Sequence, residues 1–184
     1  TTCATEISKH LFEVVWAPYL SPNEAHGQRQ LRLLTRDEYA ASVKDILGVE
    51  VNTQKLPADK SEKDFKFPGE ASKGLLQAED IKQLYGMAVS IAEQVAPQRV
   101  KRFKSTAGTL EVSALGYQVF RRPLSPSELS RYQAVLDEHG ERALIAALLL
   151  SPNFLYRSEL GQAVARQAEV YKLTPYETAT ALSY

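Results

Sequence analysis

Residues 125–150 read Ser-Pro-Ser-Glu-Leu-Ser-Arg-Tyr-Gln-Ala-Val-Leu-Asp-Glu-His-Gly-Glu-Arg-Ala-Leu-Ile-Ala-Ala-Leu-Leu-Leu. The first four form a capping box: the Ser125 hydroxyl accepts from the amide three residues on, and the Glu128 carboxylate reaches back to the capping amide. Pro126 falls at the first helical position, where its missing N–H costs nothing. Leu129, Tyr132, Val135 and Leu136 follow at helical spacing, and His139-Gly140 ends the helix. From Ala143 to Leu150 the chain is apolar on nearly every side, as expected of a helix at the centre of a bundle. This stretch is the best core candidate, and its period is helical.

The same reading extends outward in both directions. Thr35-Arg-Asp-Glu38 is a second capping box, with Leu34 and Tyr39 placed as a hydrophobic staple. It predicts a helix from Arg36 that presents Tyr39, Val43, Ile46 and Leu47 and stops at Gly48, the residue that takes the left-handed conformation most easily. Leu76 to Ala96 carries helical spacing through Ile81, Leu84, Val89, Ile91 and Val95, with Pro97 marking its end. Thr109 to Phe120 predicts another helix, with Leu110, Ala114, Leu115, Val119 and Phe120 inward. Arg121 and Arg122 then stand in its last turn before Pro123, complementing the helix dipole.

Ile7 to Tyr19 reads as a short amphipathic helix ended near Pro18, and residues 21–30 as a connection. Residues 49–75 mix Pro and Gly with a dense run of Lys, Asp and Glu, which predicts a long surface loop. Its charged part, Asn52 to Lys73, is an interface candidate on length and composition. Thr174-Pro-Tyr-Glu177 is a third capping box, and the helix it opens has only begun at Tyr184, so the polypeptide is expected to continue. No alternating apolar and polar run is long enough for a strand, and no Asn-Gly or Asp-Gly hairpin turn occurs. The class is all-α: an irregular helical bundle with one long charged loop, part of a larger helical protein. Its divisions are expected at residues 1–29 (N-terminal helix and connector), 30–105 (first helical domain), 106–166 (second helical domain) and 167–184 (start of a further one).

Composition excludes more than it specifies. The 184 residues are 44% hydrophobic and 24% charged, and 22 basic side chains cancel 22 acidic ones. A chain of this size buries roughly 70% of the surface its unfolded form exposes, so no disulfide or metal staple is needed. Zero net charge removes the global attraction to phosphate on which nucleic-acid binders rely, so no nucleic-acid partner is expected. The longest apolar run is about two turns of helix, too short to span a membrane.

Few residues offer chemistry. Cys3, His10, His26 and His139 are scattered, with no pairing at metal-ligand spacing, so no metal site is expected. His10 and His26 have no evident partner, and the helix dipole accounts for His139. The covalent haem motif Cys-x-x-Cys-His is absent. Gly69-Glu-Ala-Ser-Lys-Gly74 has the glycine spacing of a phosphate loop, but Leu75 stands where the lysine belongs. Neither a Gly-x-Ser-x-Gly elbow nor a Gly-x-Gly-x-x-Gly fingerprint occurs.

Three sets of residues remain as interface or anion-binding candidates. Arg99, Lys101, Arg102 and Lys104 surround Phe103 and suit a phosphate, a haem propionate or an acidic partner surface; their blander reading is a solvated connector after Pro97. Arg121 and Arg122 suit an anion, but the simpler account is that they are helix-dipole partners or salt-bridge donors to a carboxylate such as Glu159. Tyr156 and Arg157 follow the Pro152 turn and the apolar pair Phe154 and Leu155, where a core tyrosine and a half-buried ion pair are the simpler account. No catalytic residue is assigned.

Four stretches taken together carry a family resemblance: Leu31-Arg-Leu-Leu-Thr-Arg-Asp-Glu-Tyr39 with Val43-Lys-Asp-Ile-Leu-Gly48 and Leu56-Pro-Ala-Asp59; Phe120-Arg-Arg-Pro-Leu-Ser-Pro-Ser-Glu128; Leu148-Leu-Leu-Ser-Pro-Asn-Phe-Leu-Tyr-Arg-Ser-Glu159; and Leu173-Thr-Pro-Tyr-Glu-Thr-Ala-Thr-Ala-Leu-Ser-Tyr184. In order and spacing they resemble a family of large secreted proteins abundant in planctomycetes, myxobacteria and some marine gammaproteobacteria, whose helical domains are of unknown function. Members typically carry c-type haem motifs before or after the helical region. Phe12-Glu-Val-Val-Trp-Ala-Pro-Tyr-Leu-Ser21 resembles the helix that leads into such a motif, which here does not follow.

The resemblance implies an extracytoplasmic setting, periplasmic, outer-membrane-associated or secreted, in which Cys3 is a candidate for a disulfide to another segment. It implies no cofactor on this chain and a c-type haem on the remaining C-terminal part or on a separate haem-bearing partner chain. The expected role is a helical scaffold or docking region of an oxidoreductase or electron-transfer assembly, not itself catalytic. The rival expectations are a non-redox binding module for a polysaccharide or surface polymer, and part of an enzyme site shared with another portion, involving Arg121, Arg122, Tyr156 and Arg157.

Overall fold

The computed structural model describes residues 32–59, 76–95, 97–106, 108–157, 160–163 and 171–182. The helix expected over Ile7–Tyr19, the connection after it, Cys3, His10, His26, Glu159 and most of the charged loop lie outside the described residues. In chain order the elements are β1 (Arg32–Leu33), α1 (Arg36–Leu47), a 3-10 turn at Thr53–Lys55, α2 (Ala78–Gln94), α3 (Pro97–Lys101), α4 (Val112–Phe120), α5 (Pro126–Leu149), α6 (Pro152–Leu155), β2 (Tyr156–Arg157), β3 (Gln162–Ala163), β4 (Tyr171–Lys172) and α7 (Pro175–Leu182). The protein is mostly helical, as its periodicity predicts. Among the described residues the two antiparallel ladders, β1 with β2 and β3 with β4, are two residues long on each side, too short to leave an alternating pattern in the sequence.

α5 is the element around which the others gather. Its capping box forms as expected, with Ser125 accepting from the Glu128 amide and Glu128 accepting from the Ser125 amide. At Gly140 the backbone turns to φ 82° and ψ 179°, a conformation open to glycine almost alone, so two helices run on from one another across a break. The second of them buries Leu144, Ile145, Ala146, Leu148 and Leu149, which is the predicted core helix. α2 and α4 both pack on α5.

α2 meets α5 through Leu84, Ala88, Ile91 and Ala92, where two alanines let the backbones come close. Ile81 shares this stripe but is 53% exposed, because the packed part of the bundle begins only at Leu84. α4 starts at Val112 rather than Thr109. Residues 103–111 instead form a tight hairpin turn, closed by Glu111 N–H to Phe103 O at 2.8 Å and Ser105 N–H to Thr109 O at 2.8 Å, with Leu110 bridged to Lys104. Mid-helix Gly116 admits Leu124: a Cβ there would overlap the leucine's methyl groups.

α1 follows its sequence closely. Thr35 and Glu38 cap it reciprocally, and Gly48 ends it at φ 72° with its amide on Lys44 O at 2.9 Å. The 3-10 turn that follows tucks Leu56 into the core, so the predicted surface loop begins with a packed segment. One hydrophobic cluster runs from Leu34 to Leu155 through α1, α2, α4 and α5.

Candidate functional site

Three stretches of the chain share a pattern that reaches beyond the capping box: Arg32-Leu-Leu-Thr-Arg-Asp-Glu38, Arg122-Pro-Leu-Ser-Pro-Ser-Glu128 and Tyr171-Lys-Leu-Thr-Pro-Tyr-Glu177. Each places a leucine before the capping hydroxyl and a glutamate three residues after it. In the first two, an arginine six residues ahead of the glutamate folds back on it with both guanidinium nitrogens. Arg32 donates to Glu38 at 2.5 and 3.0 Å, and Arg122 to Glu128 at 2.7 and 2.9 Å. Paired N–H donors match the two oxygens of a carboxylate, so such contacts fix geometry as well as charge.

These glutamates then hold one passing segment at successive points. Glu128 accepts from Asn153 Nδ2 at 3.0 Å, Glu38 lies 3.7 Å from Arg157 Nη1, and Glu177 accepts from the Leu160 and Gly161 amides at 3.0 and 3.1 Å. Residues 151–157 and 160–161 of this segment thus lie in turn at the N-termini of α5, α1 and α7. β2 pairs within it on β1, Arg32 opposite Arg157 and Leu33 opposite Tyr156, and Leu34 N–H donates to Leu155 O at 2.8 Å.

The electrostatics follow from these contacts. The Arg122 hydrogen bonds, aided by the Ser125 amide and hydroxyl, outweigh burial and bring the Glu128 carboxyl down to about 2. Burial pushes Glu177 up, but the amides of Thr174, Gly161 and Leu160 and the Thr174 hydroxyl reverse it and leave the group at about 2. Burial likewise opposes Glu38, and Arg32 with the Thr35 amide and hydroxyl carries it below the ordinary carboxylate value. All three are therefore anions throughout the neutral range.

Between this segment, the end of α4 and α7 lies a cleft of about 430 Å³. Arg121, Arg122, Tyr156, Arg157, Tyr176 and Glu177 line it, over Leu34, Phe120 and Phe154. Arg121 and Arg122 do not fill the last turn of α4, as the dipole reading has it: the helix ends at Phe120, and Arg121 takes the left-handed conformation at φ 57°. From there its Nη2 reaches Ser42 Oγ on α1 at 3.3 Å. Arg157 is 11% exposed at its side chain and touches Ala181 O of α7 through Nη2 at 3.4 Å. The four candidates from two distant parts of the sequence thus face one hollow.

The other basic group is dispersed. Arg102 donates to Ile46 O at 2.6 Å and stands 4.7 Å over the Phe103 ring, while the Arg99 side chain packs over Gly48. Both cations sit at the C-terminal end of α1, where the helix dipole favours them. Lys104 pairs with Glu141 at 2.5 Å, and Lys101 is exposed. His139 is exposed beside Glu138, and no group of three or more His, Cys, Asp or Glu among the described residues is placed to hold a metal ion. With one cysteine in the sequence, the chain lacks the two thioether donors of a c-type haem.

Residues 32–97 match the family model described as PSD3, protein of unknown function (DUF1587), and residues 111–159 match PSD5, protein of unknown function (DUF1595). The β1–β2 ladder joins the start of the first match to the end of the second. No curated protein and no solved structure matches the chain. No helix of the described residues is long and apolar enough to cross a membrane.

Proposed function

We propose that a chain built on these two domains is a helical docking scaffold in a larger extracytoplasmic, c-type-haem-associated oxidoreductase or electron-transfer assembly. The observation that carries this reading is α7. It has the same capping device as α1 and α5, with Thr174 and Glu177 bonded reciprocally at 2.8 and 3.2 Å, yet none of its residues is buried. Leu182 is 83% exposed and Tyr176 44% exposed, whereas α1 and α5 each bury a full apolar face. A formed helix whose apolar edge is largely exposed, with Tyr176 edge-on to Tyr117 at 6.4 Å between ring centroids, is an ordinary starting point for recognition by a partner element. The family resemblance of the sequence names the partner, a haem-bearing portion of the same protein or a separate haem-bearing chain.

The described residues do not fit the haem itself, for want of cysteine pairs and histidine ligands, so the group belongs on the partner. When bound there it supplies reversible one-electron transfer. The scaffold's part is to hold α7 at a fixed place beside the pinned residues 160–161. The experiment is gel filtration of this chain with the haem-bearing portion, followed at the Soret band. Co-elution is expected, with the double change Tyr176→Ala and Leu182→Glu weakening it at least about tenfold, the scale of a buried hot spot. Separate elution of the native chain, or undiminished co-elution of the variant, overturns the reading.

A further inference from the structure

α7 is eight residues long and buries none of them. Isolated helices shorter than about 12–15 residues are marginal in water, and in proteins most helical stability comes from the packing of an apolar face. Beyond the edge-on contact of Tyr176 with Tyr117, the support of α7 is found chiefly at its ends. At the N-terminus Thr174 and Glu177 cap it reciprocally, and Glu177 accepts from the Leu160 and Gly161 amides. At the C-terminal end Arg157 Nη2 donates to Ala181 O at 3.4 Å. A cation there meets both a carbonyl that the helix leaves unpaired and the negative end of the helix dipole.

Arg157 is itself placed by α1. It stands opposite Arg32 in the β1–β2 ladder, and like charges directly opposite one another destabilise a strand pair. Glu38, the capping carboxylate of α1, answers both: it takes two bonds from Arg32 and lies 3.7 Å from Arg157 Nη1. The Arg157 side chain is largely buried, so these contacts are weakly screened. Two nitrogens of one guanidinium thus face the N-terminal carboxylate of α1 and a C-terminal carbonyl of α7.

We propose that Glu38 and Arg157 form a tie through which α1 holds the last turn of α7, which makes Arg157 the positioning residue of that helix. α1 lies within the first family match and α7 beyond the second, so the tie joins parts of the chain that are far apart in sequence. It stands on contacts within this chain, and only its bearing on a partner rests on the docking reading of α7. Glu38 acts on α7 through Arg157: without the carboxylate the two arginines face each other, and Arg157 is no longer kept in reach of Ala181 O.

The test is hydrogen exchange, followed by nuclear magnetic resonance, on the full chain with no partner present. Glu38→Gln keeps the capping box but removes the charge between the arginines, and the amides of residues 179–182 exchange at least about threefold faster. Arg157→Lys offers one nitrogen in place of two and holds one end of the tie, so it speeds the same amides. The double variant does no more than the larger of the single changes, because both cut the same tie. Glu128→Gln removes the matching capping charge from α5, which acts on Asn153 instead, and leaves residues 179–182 at the native rate. Native exchange of these amides in Glu38→Gln overturns the proposal. So do additive effects in the double variant, and so does an equal acceleration in Glu128→Gln, which would mark a general loss of stability.

Discussion

Glu128→Gln isolates the charge in the device that pins the segment at Asn153. The carboxylate is 14% exposed and takes two bonds from Arg122, one from the Ser125 amide and one from Asn153. Its pKa falls from 4.5 to about 2. At about 1.4 kcal/mol per unit this corresponds to ~3 kcal/mol, and partial exposure of the Arg122 side chain, 34%, reduces it to ~2 kcal/mol. Glutamine still closes a capping box, so the cap itself is kept. The sign is that of a depressed carboxylate: its stabilisation is complete above the unfolded value of 4.5 and is lost as pH falls through about 2. Urea unfolding followed by far-ultraviolet circular dichroism therefore shows the variant weaker by ~2 kcal/mol at neutral pH, with less than about half of that gap left near pH 3. Glu38 and Glu177 titrate alike in both proteins and cancel from the difference. A gap that is the same at neutral pH and near pH 3 refutes the reasoning.

Tyr39→Phe raises stability by about 1 kcal/mol in the same assay, because the Tyr39 hydroxyl is buried with no hydrogen-bond partner among the described residues, and burial alone pushes its pKa up. A loss of stability would show that the hydroxyl is satisfied. Gly140→Ala lowers stability by roughly 1–3 kcal/mol through backbone strain alone, since a Cβ there meets nothing within 4 Å; a neutral result would mean that the break in α5 straightens without penalty. Glu177→Gln speeds hydrogen exchange at the Leu160 and Gly161 amides by about tenfold or more, leaving Leu144 and Leu148 amides in the core unchanged. Equal exchange at all four sites in variant and native chain would remove Glu177 as the pin.

The helices were legible because their signals are local. Ser125-Pro-Ser-Glu128, Thr35-Arg-Asp-Glu38 and Gly48 act within one turn, and each does in the structure what its side chains dictate. The apolar run Ala143–Leu150 announces the core in the same way. What was not legible depends on contacts between distant segments. Residues 109–111 have helical spacing, but their backbone groups bond to residues 103–105 instead, and only the fold brings that partner near.

The cleft shows the same divide. Arg121, Arg122, Tyr156 and Arg157 stand out in the sequence as charged or polar residues beside apolar runs, but nothing local says that they share a hollow. That follows from the pairing of Arg32 with Arg157 and from the three glutamates, whose second contacts are far along the sequence: Glu128 with Asn153, Glu177 with Leu160 and Gly161, and Glu38 with Arg157. One signal for the pins is present in the sequence: the arginine six residues before both Glu38 and Glu128, and the leucine before each capping hydroxyl. The left-handed Arg121 has no such signal, because a Phe-Arg-Arg-Pro run reads as a basic last turn until the backbone is seen.

The docking account is tested most directly by a reduced-minus-oxidised absorption spectrum of the natural full-length product, with its intact mass. Docking to a haem-bearing partner predicts c-type haem bands in that product or in a chain that co-purifies with it, a mass excess on the polypeptide that holds the group covalently, and no such bands from this chain by itself. A featureless spectrum and a mass equal to that of the polypeptide, with no haem-bearing chain co-purifying, would contradict it.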